Sequence, residues 1–195
     1  MADLSLTPAS AFMHWKPVVQ NTLSITANET ATMASIAVNA GQTAALQAAI
    51  EGAYGVALPS RPARTQAKDG TAFVWAGPGQ WLAVAERESG RDLETELKSR
   101  LAGLASVADQ SDGRIIVRIS GERARDVLVK GVPLDLDPRA FKAGDAAITH
   151  ASHIGVMLWQ LDERPTYELA MFRSYADSFA HWLAESAAEY VSVRS

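Results

Sequence analysis

The chain has 195 residues, 48% of them apolar and 21% charged, with a formal net charge of −4 and a pI near 5.6. Its length suits one compact domain, or two small halves sharing a core, and its weak acidity argues against a partner gripped through a broad basic field, so no nucleic acid is expected. With no cysteine, disulfides, thiolate-held zinc, iron–sulfur clusters and thiol nucleophiles are excluded.

Met1 to Leu6 carry neither the basic nor the apolar part of a secretory leader, and no apolar run approaches the ~18 residues of a membrane span. A cytoplasmic chain with no membrane partner is predicted. Residues 1–20, with Pro8, Phe12, His14, Trp15 and Pro17, show no periodicity and read as an extended N-terminal arm. Residues 21–195 are then expected to form a single compact α+β domain, with 21–110 and 111–195 as possible subdomains. Extended segments at Leu23–Ala27 and Met33–Val38 come first, the second placing Ala34, Ile36 and Val38 on one face. A helix over Thr43–Glu51 follows, with Leu46, Ala49, Ile50 and Ala53 at helical spacing and Gly52 placed to end it. Leu58–Thr71, carrying Pro59, Arg61, Pro62, Arg64, Lys68 and Gly70, reads as an exposed loop.

Two strands, Ala72–Ala76 and Trp81–Glu86, flank Gly77-Pro78-Gly79. Ser89 is the expected N-cap of a second helix, with Asp92 three residues on, Leu93, Leu97, Leu101 and Leu104 along one side and Gly103 near its stop. Ser106–Asp109 and Arg114–Ile119 read as strands around a turn at 110–113, with Ile115, Val117 and Ile119 facing one way and Arg114 and Arg118 the other. Ser120 is expected to cap a helix over Glu122–Lys130 that ends at Gly131. Beyond the loop 134–144, strands are expected at Ala146–His150, His153–Leu161 and Thr166–Phe172, the first two joined by a turn at Ala151-Ser152. Ser174 and Asp177 open a last helix whose stripe is Phe179, Trp182, Leu183, Ala187 and Tyr190. The order predicts two ferredoxin-like α/β-sandwich halves with antiparallel sheets.

The residues offer little self-contained chemistry. Gly77-Pro78-Gly79 lacks the lysine and the following helix of a phosphate loop, and proline removes an N–H donor, so the stretch reads as a hairpin turn. His150 and His153 straddle a turn with no third ligand nearby, and zinc sites use three or four; His14 and His181 have no motif context. Ser120 lacks the Gly-x-Ser-x-Gly frame of an exposed nucleophile. Asp109 and Asp112 lie in Asp-x-x-Asp-Gly, which is first of all a turn. Arg114, Arg118, Arg123 and Arg125 lie near Asp109, Asp112, Glu122 and Asp126 and read as a self-neutralising surface. For Trp75, Trp81 and Trp159, core or subunit contact competes with a ligand platform.

The ordered pieces WAGPGQWL (75–82), SDGR (111–114), VLVKG (127–131), LDLDP (134–138), THASH (149–153), LWQLD (158–162), PTYEL (165–169), RSYA (173–176) and WL (182–183) resemble the gamma subunit of heterotetrameric sarcosine oxidase. The small subunit of N-methylglutamate dehydrogenase is similar. The resemblance implies a fold like that of the folate-binding aminomethyltransferases and a noncatalytic, accessory role beside alpha (folate-binding), beta (flavin) and delta subunits. The holoenzyme it implies uses FAD, FMN, NAD and tetrahydrofolate to convert sarcosine to glycine, hydrogen peroxide and 5,10-methylenetetrahydrofolate. It carries over no catalytic, cofactor-binding or metal-binding residue to this chain. A stand-alone folate-binding one-carbon protein is the rival expectation.

Overall fold

The computed structural model describes residues 9–86 and 90–191, so the expectations for Met1–Leu6 and for Ser89 as a cap lie outside the described residues. In chain order come β1 (Val18–Val19), β2 (Ser24–Asn28), β3 (Ala31–Val38), α1 (Thr43–Tyr54), β4 (Arg64–Gln66), β5 (Ala72–Gly77), β6 (Gln80–Glu86), α2 (Leu93–Arg100) and β7 (Ala105–Asp109). These are followed by β8 (Arg114–Ser120), α3 (Ala124–Leu128), β9 (Ala146–Ala151), β10 (Ile154–Asp162), β11 (Thr166–Phe172) and α4 (Ala176–Ala187). One antiparallel sheet has the order β4-β5-β6-β3-β7, the other β1-β2-β8-β11-β10-β9.

Period-two alternation sets the layering. In β8, Ile115, Val117 and Ile119 share a core with Val127 and Leu128 of α3 and with Phe179 and Leu183 of α4. Ile116 faces the opposite way, into a central cluster. β3 divides likewise: Ala34 and Ile36 pack with Leu46 and Ile50 of α1 and Leu93 and Leu97 of α2, while Ala31 and Met33 enter the centre. The outcome is four layers, helices outside and two sheets face to face within. This is the expected α+β class with antiparallel sheets. Around α1 and α2 the strands follow the ferredoxin-like order β5-β6-β3-β7, with β4 added at the edge. The other sheet reaches its layer through the meander β9-β10-β11, with β8 beside β11. Residues 18–28 join this second sheet, because Ser24–Asn28 pair along Ile116–Ser120. Phe12 is buried in the same half, against Trp15.

Several local expectations change. α1 runs past Gly52 to Tyr54, and Gly55, at φ 70°, takes the left-handed position and returns its N–H to Glu51; Ala53 is exposed and Tyr54 buried. Leu58–Thr71 is not an exposed loop. It holds β4, its Leu58, Ala67 and Thr71 are buried, and the Gln47 amide holds the Leu58 backbone at 3.0 and 3.2 Å. The cap of α2 is Asp92, whose carboxylate accepts from the Thr95 N–H at 3.1 Å and from its hydroxyl at 2.8 Å. Ser120 ends β8, paired with Ser24 and Thr166, and neither α3 nor α4 has a side-chain cap. The β9–β10 turn is Ser152-His153, since Ala151 already pairs with Ile154.

Candidate functional site

The space between the sheets is filled only in part. Its centre is a small cluster of Ala31, Met33, Val74 and Leu82 from one sheet against Ile116, Met157, Trp159 and Ala170 from the other. Beyond that centre the layer opens into two clefts, a charged one of about 330 Å³ and an apolar one of about 480 Å³.

The charged cleft is organised by register. Trp159 of β10 lies opposite Glu168 of β11, and Glu168 lies opposite Arg118 of β8. Three side chains on one sheet face thus form a row across adjacent strands. The Trp159 Nε1–H donates to Glu168 Oε2 at 2.8 Å, and the Arg118 Nε–H and Nη2–H donate to Oε1 at 3.0 and 2.7 Å. Glu168 is only 5% exposed, so this pairing is what makes burying its charge tolerable.

From the other sheet, Arg64 enters the same cleft off the edge strand β4. Burial holds its guanidinium below the ordinary arginine range; the Glu168 charge opposes that effect and Arg118 adds to it. At the rim, Arg91 donates to Asp69 and Glu96, and Glu96 also accepts from the Tyr54 hydroxyl at 2.9 Å. Burial alone would raise the Glu96 carboxyl, but the hydrogen bonds from Arg91 and Tyr54 bring it below the usual range. Burial, helped by Glu96, pushes the Tyr54 phenol up.

The apolar cleft lies between Leu82 and Ala76 of one sheet and Met157, Ile148 and Phe172 of the other. Ile148 is 54% exposed, Phe172 48% and Tyr175 47%, and all three line this one opening. The Arg114 guanidinium lies over the Phe172 ring at 4.3 Å, and burial lowers its affinity for the proton. A large apolar opening with a single stacked cation is a surface suited to another protein.

The residues singled out in the sequence scatter. Trp81 is buried in the core beneath α1 and α2, and its Nε1–H donates to the Pro59 carbonyl at 2.8 Å. Trp75 pairs with it across the hairpin and is half-buried. The Gly77-Pro78-Gly79 loop is the β5–β6 hairpin, with Gly79 at φ 69° and its carbonyl bound by the Val38 N–H. Trp159 belongs to the inter-sheet layer. The Asp109 carboxylate accepts from the Ser111 N–H and hydroxyl, closing a turn. His150 lies in β9 and His153 in the β9–β10 turn, and among the described residues no group of three or more His, Asp or Glu side chains is placed to hold a metal. Of the arginine cluster, Arg118 enters the charged cleft, Arg123 pairs with Asp126, and Arg125 donates to the Tyr167 hydroxyl at 2.8 Å. Arg64, read from the sequence as part of an exposed loop, lies on β4, and Glu168 escaped sequence reasoning. Glu168 had a signal: it is a lone carboxylate inside the apolar strand Thr166–Phe172, a place where charge needs a partner.

A model of the sarcosine oxidase, gamma subunit family matches residues 37–189. The chain is 36% identical to the sarcosine oxidase subunit gamma of an Arthrobacter species over 84% of this chain and 80% of that protein. It is 35% identical to the corresponding subunit of Corynebacterium sp. strain P-1 over 74% and 71%. Among solved structures, it is similar to a chain of the heterotetrameric sarcosine oxidase from Corynebacterium sp. U-96, determined in complex with pyrrole 2-carboxylate. That likeness has a TM-score of 0.77 and 27% identity over 92% of this chain and 91% of that one. A likeness of fold alone extends to the glycine cleavage aminomethyltransferase of Bartonella henselae, with a TM-score of 0.62 and 13% identity over 85% of this chain and 46% of that one.

Proposed function

Because the chain belongs to the sarcosine oxidase, gamma subunit family, we propose that it is the noncatalytic, accessory subunit of a heterotetrameric flavin-dependent oxidase. In this reading the holoenzyme oxidises sarcosine to glycine and forms hydrogen peroxide and 5,10-methylenetetrahydrofolate. FAD, FMN, NAD and tetrahydrofolate are held mainly by the large subunits, in the cytoplasm, with a delta subunit as a further partner. Residues of this chain do not fit a flavin or nicotinamide dinucleotide: the Gly-Pro-Gly stretch is a hairpin, and no helix among the described residues opens on a three-glycine turn. No redox step is routed through it.

The observation that carries the reading is the apolar cleft, where Ile148, Phe172 and Tyr175 stand exposed together. Covering such a face gains roughly 25 cal/mol for each Å² of apolar surface removed from water. Burial of Phe172 would also dry the Arg114 guanidinium stacked on it, which strengthens a cation–π contact. Co-expression with the large subunits, followed by affinity capture, tests this. The expected result is a yellow complex of fixed stoichiometry, and a loss of captured partner of about tenfold or more when Ile148→Glu and Phe172→Ser are combined. Circular dichroism of the variant should match that of the parent, since both positions are exposed. Undiminished capture by the folded double variant would sink the contact face. A chain that stays monomeric beside its partners and binds folate by calorimetry would favour the stand-alone protein. Faster turnover of N-methylglutamate than of sarcosine by the complex would move the substrate.

A further inference from the structure

Arg64 is a half-buried cation with no ion-pair partner of its own among the described residues. Its Nη1–H donates to the neutral Gln66 Oε1 at 3.1 Å, whereas its Nε is sealed from solvent and has no acceptor among the described residues. The carboxylate that acts on it, Glu168, is already spent: Arg118 occupies Oε1 and Trp159 occupies Oε2. At the mouth, Arg91 is matched by Asp69 and Glu96, and Glu86 accepts from Asn28 and Thr30. The inner part of the cleft therefore holds two guanidiniums and one carboxylate. A buried donor left unmade is costly, and a guanidinium edge presents parallel donors that suit a carboxylate.

The walls define the rest of the ligand. Ile116, Leu161 and Val84 supply apolar surface beside Trp159, in a space of about 330 Å³, which takes a small organic molecule. We propose that this inter-sheet cleft is a binding site for a small organic monocarboxylate. Arg64 receives the carboxylate through the edge of its guanidinium that lines the cleft, and the hydrocarbon body of the ligand lies against the half-buried Val84 and Leu161. The site is separate from the apolar docking face, so its failure would leave the proposed function untouched.

Benzoate is the probe, with benzamide as its neutral counterpart of the same shape, in calorimetric titrations of the full-length chain. Benzoate is expected to bind saturably and at least about tenfold more tightly than benzamide, because only the anion meets the Arg64 charge. Arg64→Met should weaken benzoate binding by about tenfold or more without unfolding the chain, since it replaces a half-buried cation with an apolar side chain of similar reach. Should that variant fail to fold, Gln66→Glu serves instead: Gln66 is exposed, and a carboxylate there would occupy Arg64 internally and weaken benzoate comparably. No saturable binding, equal affinity for benzamide, or unchanged benzoate affinity in the folded variants overturns the site.

Discussion

Glu168 joins three strands through one carboxylate, accepting from Arg118 on β8 and from Trp159 on β10. Removing it strands a guanidinium and an indole N–H, so Glu168→Ala is expected to lower stability in urea unfolding by roughly 3 kcal/mol. Glu96 makes a separate prediction through pH. Its carboxyl lies below the usual range in the folded chain, so its contribution is present above the unfolded pKa and is lost as pH falls through the folded one. The melting temperature should therefore drop less for Glu96→Gln than for the parent on acidification from about pH 5 to about pH 3. Gly121 tests backbone geometry. It sits at φ 104°, and a Cβ there would stand 2.4 Å from the Thr22 carbonyl oxygen. Gly121→Ala should cost about 2 kcal/mol or more in the same unfolding measurement, because the contact is with backbone that cannot turn aside.

Helix α2 shows how an end is fixed by one side chain. With Asp92 holding the Thr95 N–H and hydroxyl, Asp92→Ala should lose about 1 kcal/mol in thermal or urea unfolding. The body of this helix was legible, since Leu93, Leu97 and Leu101 recur at helical spacing and all are buried. The start predicted at Ser89 was displaced because Ser and Asp satisfy the same rule, and only the fold selects between them. Strand β4 was illegible for another reason. Arg64–Gln66 has no apolar alternation of its own and is ordered by partners distant in sequence, with the Arg64 N–H on the Gly144 carbonyl at 2.7 Å and Phe73 opposite Thr65. The hidden strand carries Arg64, so half of the charged cleft was hidden with it. The other half was partly visible in the alternation of β8, where Val117 and Ile119 face the helices while Arg118, between them, faces the sheet of β3 to β7.

Across the whole molecule, the two sheets share one central layer, and residues 18–28 bind the N-terminal stretch to the sheet built from 114–172. Splitting the chain near residue 110 would strip β2 of β8 and expose Leu23 and Ile25, which are buried there. Unfolding is therefore expected to be one cooperative transition, with far-UV circular dichroism and tryptophan fluorescence changing together. Trp81 reports on one half and Trp159 on the shared layer. Two separated transitions would show that the sheets are independent.

The same crossing governs the order in which a nascent chain can fold. Ser24 must wait for Ser120, whereas β3, β5, β6 and β7 have every strand neighbour by Asp109. On the ribosome, one sheet can close while Leu23 and Ile25 remain naked beside it, and such long-range pairing is slow and prone to capture by other chains. Synthesis in the company of a binding partner or chaperone would shorten that vulnerable interval.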